Sequence, residues 1–360
     1  MINSKELLDN IIKNNIEFIV GVPDTTFKDF LITLDSYKKN ITHVMASSEG
    51  EAIGIATGYY LATGKIPIVY MQNDGLCNAM NPLTSLCDRY VYGIPMILFI
   101  GWRGTNDDAI QHQRMGEILK PLLDLLGIKH SVIKKVDDVR EAKRYAQIQS
   151  EPRALIFERK VFEKRESREE SEEFDSSPRE NMMDIILNKI SGFSVVATTG
   201  KTSRELYELR EKRGEPTDDF LMIGSMGCAA SIGLGIAVNE KPVCIFDGDG
   251  AVLMKMGTLA TIGYYKPLRF IHILFDNESY ASTGGQATVS RNVNWKMLFM
   301  SVGYFDVYEI SSIDELKEIN FSSLTMPTAI VVKVSPYARK NLKRPTKTLK
   351  EIKDLFMKKL

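Results

Sequence analysis

The stretch Cys244–Ser282, CIFDGDGAVLMKMGTLATIGYYKPLRFIHILFDNESYAS, decides the fold. It opens on the apolar run Val243–Phe246, which reads as a strand buried on both faces in a parallel sheet. The run breaks at Asp247-Gly248-Asp249-Gly250 and restarts as a helix whose apolar positions Leu253, Met256, Leu259 and Ile262 recur at three-residue intervals. A second apolar run, Arg269–Phe275, ends in Asp276-Asn277-Glu278-Ser279. Two neighbouring parallel strands would deliver Asp249 and Asn277 to one sheet edge, where open α/β folds bind ligands. Gly250 would let the backbone approach an anion, with the amides of Gly250 and Ala251 opening the helix toward it. An oxygen-rich pair beside such a nest suits Mg²⁺, which takes hard ligands and completes its shell with phosphate oxygens. A turn that needs positive φ explains a lone Gly-Asp-Gly equally well, without any ligand.

Working outward, the chain of 360 residues has room for two domains of ordinary size. Lys plus Arg and Asp plus Glu are both 46, so no net field favours nucleic acid or an anionic membrane. No apolar run approaches membrane-spanning length, and the start, MINSKELLDNIIKNN, lacks the apolar core of a signal peptide. Cys77, Cys87, Cys228 and Cys244 are widely spaced, which points to reduced structural thiols in a cytoplasmic protein and to no zinc site.

Residues 1–160 alternate helix and strand with short connections, the pattern of a doubly wound α/β domain. Strands are expected near 17–20, 41–45, 67–71, 95–100, 130–133 and 154–158, and helices near 4–14, 25–37, 49–63, 80–92, 113–126 and 137–148. Residues 161–181 are almost wholly charged or polar and read as a linker. Residues 182–360 repeat the alternation, with strands near 194–198, 220–223, 242–247, 269–275, 304–308 and 327–334 and a closing basic helix near 347–358. Two similar α/β halves in series look like a duplication.

Gly248-Asp249-Gly250, followed by Asn277 at the end of the next strand, resembles the signature of the thiamine diphosphate-dependent decarboxylase superfamily. The resemblance implies two α/β domains of the thiamine diphosphate-binding fold, one for the pyrimidine and one for the diphosphate. It implies that Asp249, Asn277 and the carbonyl of Ser279 bind Mg²⁺, with Asp276-Asn277 standing where paired asparagines are usual. Ser47-Ser48-Glu49-Gly50-Glu51 reads by composition as a capped helix start with first-turn acids. By resemblance Glu49, nine residues before Gly58, is the catalytic carboxylate that hydrogen-bonds the cofactor's pyrimidine nitrogen and relays its proton. Gly224-Ser225-Met226-Gly227 reads as a strand-to-helix turn. The resemblance gives the Gly224 carbonyl to the cofactor's amino group and makes Met226 the wedge that bends it. Asn78 falls in the loop near the pyrimidine ring.

Further motifs resemble the small branch of the superfamily that decarboxylates phosphonopyruvate or sulfopyruvate and lacks a middle domain. They are Gly21–Asp24, Gln72-Asn73, Asn78–Leu86, Gly101–Gly104, Gln111-His112, Thr198–Leu206, Ser282–Ser290 and Arg344-Pro345-Thr346. The implied reaction turns 3-phosphonopyruvate into phosphonoacetaldehyde and CO₂ in phosphonate biosynthesis. The alternatives are sulfopyruvate or another anionic 2-keto acid, or a thiamine-fold binding protein without turnover. Asp24 and His112 are candidate proton shuttles, although a capping histidine fits position 112 as well. Arg103, Lys201, Arg204 and Lys255 are candidates for the phosphonate, each equally readable as a solvated charge. His43, His130 and His272 lie in apolar strand patterns and read as core or edge residues. Asp74, Cys77 and Cys228 depart from the branch's pattern, where Ser, Gly and His are expected. Because Glu49 and the metal pair fall in different halves, the resemblance implies a homodimer or higher oligomer with its sites at the subunit interface.

Overall fold

The computed structural model describes residues 1–105, 108–163, 178–281, 283–336, 339 and 341–360. It divides into two compact units, Met1–Arg168 and Glu169–Leu360. The first unit holds a parallel sheet of β1 (Phe18–Gly21), β2 (Thr42–Met45), β3 (Ile68–Gln72), β4 (Ile97–Trp102), β5 (Lys129–Val132) and β6 (Arg153–Glu158), in the order β2-β1-β3-β4-β6-β5. The second holds β7 (Ser194–Ala197), β8 (Phe220–Leu221), β9 (Val243–Gly248) and β10 (Phe270–Asp276). A small antiparallel pair, β11 (Ser279–Tyr280) and β12 (Gln286–Ala287), precedes β13 (Asp306–Ile310) and β14 (Thr328–Lys333). The second six-stranded sheet runs β13-β14-β10-β9-β7-β8. Numbered within its own unit, each sheet has the strand order 2-1-3-4-6-5, so the halves share one topology.

Strands buried along their whole length explain why the sheets are parallel: every residue of β1, β7 and β10 is buried, as helices on both faces require. In the first unit the core under one face is aromatic. Phe157 lies 5.1 Å from Phe27, 4.7 Å from Phe99 and 5.6 Å from Phe162 between ring centroids. In the second, Trp295, Phe299 and Tyr304 pack beside β10 around its fully buried His272.

Local rules account for most element ends. Asn3 caps the first helix, its Oδ1 accepting from the Lys5 and Glu6 amides. The helix expected over 25–37 is split into a 3₁₀ turn, Thr25–Phe27, the α-helix Lys28–Leu34 and a second 3₁₀ turn. The helix expected over 80–92 begins earlier, at Leu76, and passes into a π-helical turn, Leu83–Cys87. It stops there because Asp88 turns back to accept from the Tyr90 amide. The single helix expected after Gly250 is two, Asp249–Met254 and Gly257–Tyr265. The chain breaks at Lys255 (φ −135°, ψ 47°), and apolar spacing of three carries no signal for such a break. The hairpin of β11 and β12 was not expected, since two-residue strands are too short to show a period of two.

Within the stretch expected as a linker, residues 164–177 and Ser282 of the later motif lie outside the described residues. The described ends of that stretch are structured. Ile2 pairs with Phe162, which is buried, and Pro178–Lys189 is a helix. The closing helix is Leu349–Lys359, capped reciprocally by Thr348 and Glu351.

Phe157→Ala should lower unfolding free energy by about 3–5 kcal/mol, the usual cost of emptying an aromatic core position. Ile148→Ala, at a side chain 63% exposed, should change it by less than about 0.5 kcal/mol. Denaturant midpoints of the two variants check this, and equal midpoints would contradict the core assignment.

Candidate active site

Strand order fixes where ligands can bind. In each sheet the order reverses between the first and third strands, β1 and β3 or β7 and β9, and loops leaving the two strands there diverge to opposite sides. In the first unit this edge collects Asp24 after β1, Glu49 after β2, Gln72–Asn78 after β3 and Arg103 after β4.

Glu49 is the first residue of the helix Glu49–Thr63 and is 6% exposed. Its Oε2 accepts from Asn78 Nδ2 at 2.9 Å. Glu51 is occupied otherwise: its Oε2 accepts from the Ser47 amide at 2.7 Å and from the Ser47 hydroxyl at 2.5 Å, closing the helix start. Of the two first-turn acids, Glu51 is the capping one, and Glu49 is turned inward against Gly75, where any Cβ would collide with its carboxylate.

Asp24 is 1% exposed with both oxygens engaged, one by the Thr26 amide at 2.9 Å and the other by the Gln72 side-chain amide. It caps the turn Thr25–Phe27 and ties β1 to β3. Asn73, fully buried, clasps the backbone of Arg103 through both of its side-chain polar atoms. Arg103 itself is spoken for. Asp108 meets it bidentately at 2.7 Å, and Thr25 accepts from its remaining nitrogen at 2.9 Å. Burial alone would raise the Asp108 carboxyl, but Arg103 and the Gly104 and Ala109 amides hold it well below the usual carboxylate range. Arg103 is therefore a brace for this loop. His112 places Nδ1 2.9 Å from Asp74 Oδ2, so the departure at position 74 has a physical partner. Cys77 is exposed, and its thiol is pushed up by burial of the sulfur and by Asp74.

The second unit gathers the other candidates. Asp249 follows β9 and is 2% exposed, and its Oδ2 accepts from the Thr288 hydroxyl. Asn277 follows β10, and its Oδ1 accepts from the Ser279 amide at 3.2 Å. Register brings them together, because Gly248 pairs with Phe275 in the parallel ladder. Asp276 is not an idle substitute for asparagine. Lys333 donates to it at 2.6 Å and Ser290 at 2.7 Å, which neutralises its buried charge. Neither Gly248 nor Gly250 has positive φ, so turn geometry does not explain the Gly-Asp-Gly. A Cβ on Gly250 would stand 2.8 Å from the Tyr280 ring and 3.3 Å from Met226 Cε, so its bareness serves close packing of those side chains. Ala251 is buried behind it. Gly227 packs on the Ala251 carbonyl, which brings the Gly224–Gly227 loop to the same edge.

The donor set fits a hard divalent cation. Burial, with a contribution from Asp276 and against the Thr288 hydrogen bond, pushes Asp249 up to about 7. The Ser279 hydroxyl, two residues after Asn277, is buried and has no partner among the described residues. A carboxylate that ionises reluctantly beside an amide oxygen and a hydroxyl is what a bound Mg²⁺ would stabilise. Among the described residues no cluster of three or more His, Cys, Asp or Glu could hold a metal, so the expected set is one carboxylate, one amide and one backbone carbonyl. Sequence reasoning missed Thr288, Gln72, Asp108 and Lys333 as partners. Only Lys333 had a signal, as a cation ending the strand beside Asp276.

The raised Asp249 carboxyl fixes a pH sign. Between the ordinary value of 3.8 and about 7 the folded state keeps a proton that the unfolded chain loses, so the cation-free protein loses stability as pH rises through that window. Mg²⁺ with thiamine diphosphate should raise the melting temperature more at pH 8 than at pH 6, and Asp249→Asn should remove the difference. Thermal scans at the two pH values check both.

The chain matches two family models: the N-terminal thiamine pyrophosphate-binding domain of thiamine pyrophosphate enzymes over residues 3–123, and the C-terminal one over 198–334. It is 31% identical to the phosphonopyruvate decarboxylase of Streptomyces viridochromogenes, over 99% of this chain and 94% of that one. It is 30% identical to the phosphonopyruvate decarboxylase of Streptomyces hygroscopicus, over 96% and 90%. The sulfopyruvate decarboxylase of Methanosarcina acetivorans is 28% identical over 87% of this chain and 86% of its own length. With both cofactor-binding domains present and relatives aligned nearly end to end, the chain belongs to the thiamine pyrophosphate enzyme family.

Proposed function

We propose that the protein is a thiamine diphosphate- and Mg²⁺-dependent decarboxylase of 3-phosphonopyruvate, giving phosphonoacetaldehyde and CO₂. The observation that carries this is the likeness to phosphonopyruvate decarboxylases over nearly the full length of both chains, on a scaffold that turns Glu49 inward and buries Asp249. Bound thiamine diphosphate supplies the electron sink for cleavage of the carbon–carbon bond to the carboxylate. Glu49, kept in place by Asn78, holds the proton shared with the cofactor's pyrimidine ring. Asp249, Asn277 and the Ser279 carbonyl hold the Mg²⁺, with Gly248, Gly250 and Ala251 lining the approach to the diphosphate and Gly224 and Met226 seating the cofactor. His112, oriented through Nδ1 by Asp74, delivers the proton that replaces CO₂, and Asp24 keeps that edge polar.

The working form is a homodimer or an oligomer of dimers. The helix Glu49–Thr63 supports this, because beyond its first turn it is apolar on every side. It nevertheless leaves Leu61 71% exposed, and a Cβ placed on Gly54 or Gly58 would meet open space. A second copy covers that face and completes the site. Four free cysteines fit a reducing, cytoplasmic setting.

CO₂ release with Mg²⁺ and thiamine diphosphate, measured for phosphonopyruvate, sulfopyruvate and pyruvate side by side, tests the assignment. Preference for phosphonopyruvate is expected. Preference for sulfopyruvate, as named for the Methanosarcina relative, would move the protein to that reaction. Glu49→Gln should cut kcat by about 10²–10⁴-fold while the cofactor dissociation constant changes only a few-fold. In sedimentation velocity the native protein should run as a dimer or larger, and Leu61→Arg should shift it toward monomer with loss of turnover. An active native monomer would defeat the assembly.

A further inference from the structure

The shielded guanidiniums of the second unit follow one rule with one exception. Arg179 meets Glu205 at 2.5 Å, and Arg210 meets Glu215 and Asp219. Arg213 meets Asp184 and Glu215, and Arg339 meets Glu180 and Glu208. Arg204 is half-buried, yet among the described residues it has no carboxylate or hydrogen-bond partner. The charge that bears on it is that of a second guanidinium, Arg344. Burial first, and then Arg344, lowers the Arg204 pKa. Arg344 likewise has no acidic partner among the described residues.

The meeting of the two is built in. Arg204 lies on the helix Lys201–Lys212, one turn before Tyr207 and Glu208 and on their face. The segment around Arg344 is fastened to that face. The Tyr207 hydroxyl meets the Thr346 hydroxyl at 3.0 Å, and Glu208 accepts from the Lys343 amide at 2.5 Å and from Arg339 at 2.6 Å. The helix leaves β7, which pairs with β9 at the point where the strand order reverses, so Arg204 stands one helical turn from the edge that carries Asp249. Thr198, 3% exposed just after β7, has a hydroxyl with no partner among the described residues. Two like charges held together in partial shelter cost stability unless an anion lies between them.

We propose that Arg204 and Arg344 recognise a tetrahedral dianion, namely the phosphonate group of the keto acid substrate. The identity of the substrate rests on the function proposed above; the anion site does not. A phosphonate dianion matches two guanidiniums in charge and accepts their forked donors. A sulfonate carries one charge and leaves the pair half-neutralised, so the pair also selects phosphonopyruvate over sulfopyruvate. The terminal phosphate of the cofactor presents the same chemistry, and the experiment separates the two.

The test uses holoenzyme loaded with Mg²⁺ and thiamine diphosphate. Wild type, Arg204→Gln and Arg344→Gln are compared for KM with phosphonopyruvate, sulfopyruvate and pyruvate, for the cofactor dissociation constant, and for binding of methylphosphonate by calorimetry. Arg344 is exposed, so its variant reports even if Arg204→Gln fails to fold. Each substitution should raise KM for phosphonopyruvate by about 10–100-fold, the range for a lost hydrogen bond to a charged group. KM for sulfopyruvate should rise less, that for pyruvate should hold, and the cofactor constant should stay within a factor of two or so of wild type. Methylphosphonate binding should weaken in parallel. A weakened cofactor with unchanged substrate KM would overturn the proposal in favour of the cofactor's phosphate, and no change in any constant would overturn it outright. If wild type decarboxylates none of the three acids, the proposed function falls. Methylphosphonate binding that Arg344→Gln weakens would still uphold the anion site.

Discussion

Parallel register between β9 and β10 is the constraint on which the chemistry depends. Val243 pairs with Phe270 and Gly248 with Phe275, so the two strands end level and hand Asp249 and Asn277 to the same edge. A one-residue slip would turn each strand's side chains to the opposite face. Both faces of these strands are buried, so a slip would trade one packed layer for another and is strongly opposed. The first unit applies the same device: β1 and β3 end side by side, and the Gln72 side-chain amide reaches the Asp24 carboxylate across the gap.

Charge in these edges is managed by pairing, and the unpaired groups are the informative ones. Asp276, buried where an uncharged residue would be cheaper, is met by Lys333. Arg103, a natural candidate for an anion, is taken by Asp108. Asp249 accepts from the Thr288 hydroxyl and from backbone amides, has no cation against it among the described residues, and is pushed up by burial. Arg204 faces a guanidinium. Among the described residues, a buried carboxylate without a cation and a shielded cation without an anion stand beside two neighbouring strands of one sheet.

The sequence carried the architecture well where burial is uniform. Apolar runs placed the twelve strands of the two six-stranded sheets to within two or three residues, most securely where, as in β1, β7 and β10, a strand covered on both faces has no polar interruption. It read Asp249 from its place after a strand and Glu49 only through resemblance to the family, and the structure shows both buried. Features made by contacts distant in sequence were not legible. Neither the break at Lys255 nor the grip of Asp108 on Arg103 has a local pattern. Asp74 looked like a bare departure until His112, 38 residues on, was found 2.9 Å away.

The sequence by itself determined two α/β halves, their helix–strand alternation, and the residue types gathered at the strand ends, because hydrophobic period and turn chemistry are local. Tertiary structure decided which of those residues are committed to one another. It made Glu51 a cap and left Glu49 inward, spent Arg103 on Asp108, and left Arg204 opposite Arg344. Whether a charge is available to a ligand depends on what packs against it, and in a doubly wound fold those neighbours arrive from strands and helices far apart in the chain.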